Sequence, residues 1–131
     1  MSDDDSRVLA AQRMAQAHAA LDEGRLLQQS GETTLGVVNR AYYAMFYAVL
    51  ALLQTKGLTP RKHSGAIALF DKEFVKAGIL PPACPKQLHA AFNLRQLSDY
   101  QPLETVDATR AADLVADAAD SVAAVEGTLQ F

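Results

Sequence analysis

Asn39-Arg40-Ala41-Tyr42-Tyr43-Ala44-Met45-Phe46-Tyr47 holds three of the four tyrosines of this 131-residue chain, with a phenylalanine, an arginine and an asparagine beside them. At about 100° per residue, Val38, Tyr42, Met45, Phe46, Val49, Leu52 and Leu53 fall in one broad arc of a helix. Asn39, Arg40, Tyr43 and Tyr47 fall in a second arc beside it. The first arc reads as core. The second is a row of hydrogen-bonding tips on aromatic bodies, either a partner surface or the wall of a polar cleft.

The rest of the chain can be read as helices around this one. A first helix is expected from about Ser6 to Gln29, with Leu9, Met14, Ala17 and Leu21 as its apolar stripe and Ser30-Gly31 as its stop. Thr33 or Thr34 caps the aromatic helix, which reaches about Lys56 and ends at Gly57. Thr59-Pro60 gives a start signal for a third helix carrying His63, Ile67, Phe70 and Phe74, closed by Gly78. Pro81-Pro82 breaks the chain. Pro85 suits the first turn of a fourth helix that ends near Ser98–Asp99, with Leu88, Ala91 and Phe92 inward. A fifth runs from about Asp107 to Thr128, with Ala111, Leu114, Ala118, Val122, Val125 and Leu129 on one face and Asp113, Asp117 and Asp120 on another. Connections of a few residues favour antiparallel neighbours. The expected fold is all-α, an up-and-down antiparallel bundle of four to five helices. It forms one domain over residues 1–131, with residues 1–6 frayed, and the Ala-rich last helix offers a seam for a second copy.

The bulk numbers exclude several classes. No run approaches the length of apolar residues that a membrane span needs, so none is expected. The acidic start Met1-Ser2-Asp3-Asp4-Asp5 lacks the charge and apolar pattern of a signal peptide, so none is expected. Cys84 is the single cysteine, which rules out an internal disulfide and suits a reducing cytoplasm. The net charge of −3 is unevenly spread. Residues 39–95 carry eight basic and two acidic side chains, whereas residues 1–38 carry three and six, and residues 96–131 one and seven. A basic middle between acidic flanks suits a phosphate-bearing partner, or serves to attract the acidic outer helices.

Two polar residues stand where core residues are expected. Arg95 shares a stripe with Leu88 and Phe92, and Asp99 lies one turn further on. The pair either fixes the bundle register as an ion pair or presents a guanidinium to a phosphate, with the carboxylate orienting it. His63 opens the stripe of Ile67, Phe70 and Phe74 beside Arg61 and Lys62. It is either a hydrogen-bonded structural residue or an acid–base group near an anion. No metal-binding pattern, dinucleotide fingerprint or phosphate-binding glycine loop occurs, so neither a metal nor a cofactor is expected.

Taken in series, Asn39-Arg40-Ala41-Tyr42-Tyr43-Ala44-Met45-Phe46, Thr59-Pro60-Arg61-Lys62-His63-Ser64-Gly65 and Arg95-Gln96-Leu97-Ser98-Asp99-Tyr100 resemble the HEPN superfamily. The closer likeness is to its small stand-alone prokaryotic branch. The resemblance covers roughly residues 8–126 and implies a helical bundle, often a homodimer. It also implies a toxin–antitoxin-like pairing with a minimal nucleotidyltransferase encoded nearby. Many such proteins are metal-independent endoribonucleases that use an arginine followed a few residues later by a histidine. In that chemistry the 2′-hydroxyl of RNA attacks the adjacent phosphate. Here Arg95 is present, but Tyr100 stands nearest the place of the histidine, and a phenol is a poor acid–base group near neutral pH.

Three functions follow. The first is a non-catalytic module for RNA or a nucleotide, with ligand contacts from Asn39, Arg40, Tyr43, Tyr47, His63, Arg95, Asp99 and Tyr100. The second is a metal-independent endoribonuclease with Arg95 and His63 as its catalytic pair. The third is a protein-partner module that a cognate nucleotidyltransferase binds and modifies.

Overall fold

The computed structural model describes residues 3–100 and 107–129, and of residues 98–100 it describes the helical backbone alone. Five helices follow one another: α1 (Asp3–Ser30), α2 (Thr34–Thr55), α3 (His63–Phe70), α4 (Ala83–Tyr100) and α5 (Ala108–Thr128). The described residues contain no strand, and the molecule is an all-α bundle.

Its boundaries are set by local chemistry. Thr33 caps α2, its hydroxyl accepting a hydrogen bond from Gly36 N at 2.9 Å and satisfying one of the free donors of the first turn. Asp107 does the same for α5 through Arg110 N at 2.8 Å. Gly31, Gly57 and Gly78 all take positive φ, between 69° and 71°, where other residues are strained. At Gly57 the glycine N–H donates to Gln54 O and the Leu58 N–H donates to Leu53 O. Gly78 and Ile79 repeat this pattern on Val75 and Phe74. Both are the paired closure that ends a helix on a left-handed residue.

Two boundaries differ from the sequence reading. α1 begins at Asp3, ahead of Ser6, and its acidic first turn complements the helix dipole. Thr59-Pro60 does not start α3. That helix begins at His63 after Lys62, whose side chain makes no cap. Past Phe70 the chain continues as a π-helical turn, Asp71–Val75. This wider turn keeps both Phe70 and Phe74 buried, with their rings stacked 6.5 Å apart.

α2 is the hub and packs against α1, α3, α4 and α5. By length and composition it could cross a membrane, but here thirteen of its 22 residues are buried. Val38, Tyr42, Met45, Phe46, Val49, Leu52 and Leu53 are all among them. α1 lies antiparallel to it. Gly24 near the end of α1 meets Arg40 and Ala41, while Arg7 near its start shares a cleft with Leu52 and Thr55. Both helices bury small side chains, Ala10, Ala17, Ala20 and Gly24 on α1 and Ala41, Ala44, Ala48 and Ala51 on α2, and Gly24 meets Ala41 at the seam. Leu9, expected in the α1 stripe, is only half-buried, and Ala10 takes the inward place. α5 contributes Ala111, Leu114, Val115, Ala118, Val122 and Val125 to the same core. Cys84 is buried at the start of α4, and burial raises its thiol pKa against a smaller opposing pull from a hydrogen bond with Ser121.

Candidate functional site

Three helices bring their polar tips to one place. Tyr42 and Tyr43 come from the middle of α2, His63 from the first residue of α3, and Arg95 from the last two turns of α4. Arg40, Tyr43, Tyr47, His63 and Arg95 are each half-buried, so the cluster is a shallow patch with partial access to water.

The aromatic floor is continuous. Phe46 stacks on His63 with centroids 4.1 Å apart and on Tyr42 at 5.8 Å. Tyr43 meets Tyr42 and His63 edge-on at 5.3 and 5.6 Å, and Tyr47 lies 5.7 Å beyond it. Such stacked and edge-on pairs each add to area burial and fix ring planes. The Tyr42 hydroxyl lies 2.8 Å from His63 Nδ1.

Two guanidinium groups sit on this floor. Arg95 Cζ lies 5.2 Å from the Tyr42 centroid and 5.4 Å from that of Tyr43, and Arg95 Nη2 donates to the Tyr43 hydroxyl at 3.4 Å. Arg40 Cζ lies 5.2 Å from the same Tyr43 ring. Ring faces attract cations at these distances. Arg40 also donates from Nε and Nη2 to Asn39 Oδ1 at 3.0 and 2.8 Å, and Glu23 lies 3.7 Å from its Nη1. Arg95 Nε is buried with no hydrogen-bond acceptor among the described residues, an uncommon condition for a charged donor. The fields act on their neighbours. Burial, helped by the positive charge of Arg95, holds the His63 imidazole below its ordinary pKa. Burial drives the Tyr42 phenol above its ordinary range, Arg95 pulls it back in part, and Tyr43 adds to the rise.

Of the residues expected at a site, Arg40, Tyr43, His63 and Arg95 converge. Tyr47 joins through Tyr43, and Asn39 through its bonds to Arg40. The Arg95–Asp99 pair and Tyr100 lie outside the described side chains. Tyr42 and Phe46 belong to the core by periodicity and are indeed buried there, but they also build the floor of the site. A hydroxyl on the core face is the available signal, since a buried phenol needs a partner. A cleft of about 660 Å³ opens elsewhere, lined by Arg7, Leu52, Thr55, Phe74, Ile79 and Leu129 among others. Leu52 is about 15 Å along α2 from Tyr42, and none of Arg40, Tyr42, Tyr43, Phe46, Tyr47, His63 and Arg95 lines that cleft. No group of three or more His, Cys, Asp or Glu side chains suited to a metal gathers among the described residues.

The model of the HEPN domain matches residues 10–127. A UPF0332 protein of Thermotoga maritima is 37% identical over 114 residues, covering 87% of this chain and 86% of its own. Two Methanocaldococcus jannaschii proteins named "Putative toxin" are 48% and 43% identical over 63 residues. Those matches span 48% of this chain and 43% and 47% of theirs, so the likeness reaches less than half of either protein.

Proposed function

The chain belongs to the HEPN domain family, and on that premise we propose that it is a binding module for RNA, gripping phosphate oxygens with Arg95 and Arg40. One observation carries the reading: two guanidinium groups converge on the Tyr43 ring, and one of them keeps a buried N–H without an acceptor among the described residues. Cations held against one aromatic ring favour an anionic ligand that their N–H groups can grip. Tyr43 and Tyr47 supply ring faces on which bases stack. The names of two relatives support a toxin-like setting, and the family resemblance adds a homodimer and a nucleotidyltransferase partner to the proposal. The test is a fluorescence polarisation titration with a short single-stranded RNA, with mononucleotides as competitors. Salt-sensitive binding that Arg95→Ala removes supports the reading. Equal binding by the wild type and Arg95→Ala overturns it.

A second reading, metal-independent RNA cleavage, is favoured by the approach of His63 and Arg95 to the same two tyrosines. It requires an imidazole nitrogen free to take a proton from the 2′-hydroxyl. Chelator-resistant cleavage leaving cyclic phosphate ends, lost in His63→Ala, would support it. RNA left intact after prolonged incubation would retire it.

A further inference from the structure

Tyr42 has no exposed surface. Its ring lies among Phe46, Phe92 and Tyr43, and among the described residues its hydroxyl meets a single hydrogen-bonding partner, His63 Nδ1. A neutral imidazole carries one N–H, so this contact can exist in two forms. With the proton on Nδ1, the ring would donate to the phenol oxygen. The phenol O–H would then have no acceptor among the described residues, and a buried donor left without one is costly. With the phenol donating, both groups are satisfied and the imidazole proton sits on Nε2. Burial keeps the phenol protonated and the imidazole neutral, which the second form requires.

We propose that Tyr42 is a positioning residue that fixes His63 as a neutral Nε2–H donor, so that His63, Arg95 and Arg40 offer a ligand hydrogen-bond donors and no acceptor. Tyr43 fits the same scheme, because its oxygen accepts from Arg95 and its own proton has no acceptor among the described residues. The Asn39 oxygen is taken by Arg40, and the Glu23 carboxylate, 3.7 Å from Arg40 Nη1, is engaged by the same guanidinium. A site to which these four residues turn donors selects the charged oxygens of a phosphodiester. It also lacks the lone pair with which His63 would act as a general base, so the site holds RNA without cutting it. For the ligand this inference rests on the RNA-binding reading. For the tautomer it does not.

Long-range proton–nitrogen correlation spectra of the full chain labelled with ¹⁵N-histidine read the tautomer with no ligand present. The expected spectrum near neutral pH shows His63 with a bare Nδ1 and a protonated Nε2. A protonated Nδ1 overturns the proposal, and this measurement needs no variant. Tyr42→Phe is expected to mix the two tautomers and to weaken binding of a short oligoribonucleotide about three- to tenfold, the worth of one neutral hydrogen bond. A single unchanged tautomer in that variant counts against the proposal. His63→Gln, whose amide places an N–H near the position of Nε2, is expected to regain part of the affinity that His63→Ala loses. A methylphosphonate backbone is expected to bind weakly to all of them. Wild-type protein with the Nε2–H form that binds no oligoribonucleotide would remove the RNA reading and leave the tautomer assignment standing. The Nδ1–H form in a protein that binds RNA would do the reverse.

Discussion

Arg95 lies over Tyr43, its Cζ 5.4 Å from the ring centroid, although 52 positions separate the two in the chain. Arg40 lies over the same ring from one turn away on α2. A pair of like charges drawn to one phenol is stabilised by an anion nearby.

Arg95→Ala is therefore expected to weaken binding of a short single-stranded RNA by more than tenfold at low salt, and Arg95→Lys to recover part of that affinity without the planar fork. Polarisation titrations over a salt series check this. The slope of log affinity against log salt should become shallower by about 0.7 for each phosphate that the variant no longer neutralises.

The pH dependence of stability follows from His63. Its pKa in the folded chain lies below the ordinary 6.5, so between those two values the unfolded chain binds more protons than the folded one. Stability then rises with pH across that window and falls as pH drops from about 6.5 toward the folded value. Urea denaturation at a series of pH values should show a shallower acid-side decline in His63→Gln than in the wild type, and the difference between the two isolates this residue.

Thr33→Ala removes the side-chain cap of α2 and should cost about 1 kcal/mol in chemical denaturation. The helix start has little tolerance nearby. A Cβ added at Gly36 would meet Thr33 Cγ2 at 2.7 Å, so Gly36→Ala is expected to displace the same cap and to destabilise the fold as well.

Gly24→Val tests the seam between α1 and α2. A Cβ at that position would already stand 3.4 Å from Arg40 Cβ, and the two further methyl groups must push the helices apart. A loss of about 1–3 kcal/mol is expected, visible as a lower Tm. Arg40 would shift with the seam, so RNA affinity should fall more than fold stability alone explains.

The bundle was legible because its signals are local. Gly31, Gly57 and Gly78 read as helix ends from residue type alone, and all three take the left-handed conformation. The core arc of α2 followed from its 3.6-residue period. Local signals failed where tertiary packing decides. The hydroxyl-proline pair at Thr59-Pro60 is a sound start signal, yet α3 begins only at His63, the residue whose ring stacks on Phe46 and bonds Tyr42. The π-helical turn at Asp71–Val75 has no residue-type signature. Here His89 lies 2.9 Å from both Asp71 carboxylate oxygens, and Lys56 pairs with Glu73 at 3.3 Å. For the site, periodicity told that Tyr42 is buried but not where its hydroxyl ends. The meeting of Arg95 with Tyr42 and Tyr43 is set by how α4 crosses α2, and spacing along one helix carries no such information.

The single thiol, sealed at 4% exposure with its ionisation suppressed by burial, leaves the native chain nearly inert to maleimides and other alkylating labels. A cysteine introduced at Leu97, which is 53% exposed and two residues past Arg95, would then be the sole reactive handle. A fluorophore or spin label attached there would report from beside the cation–aromatic patch, with no need to re-engineer the interior first.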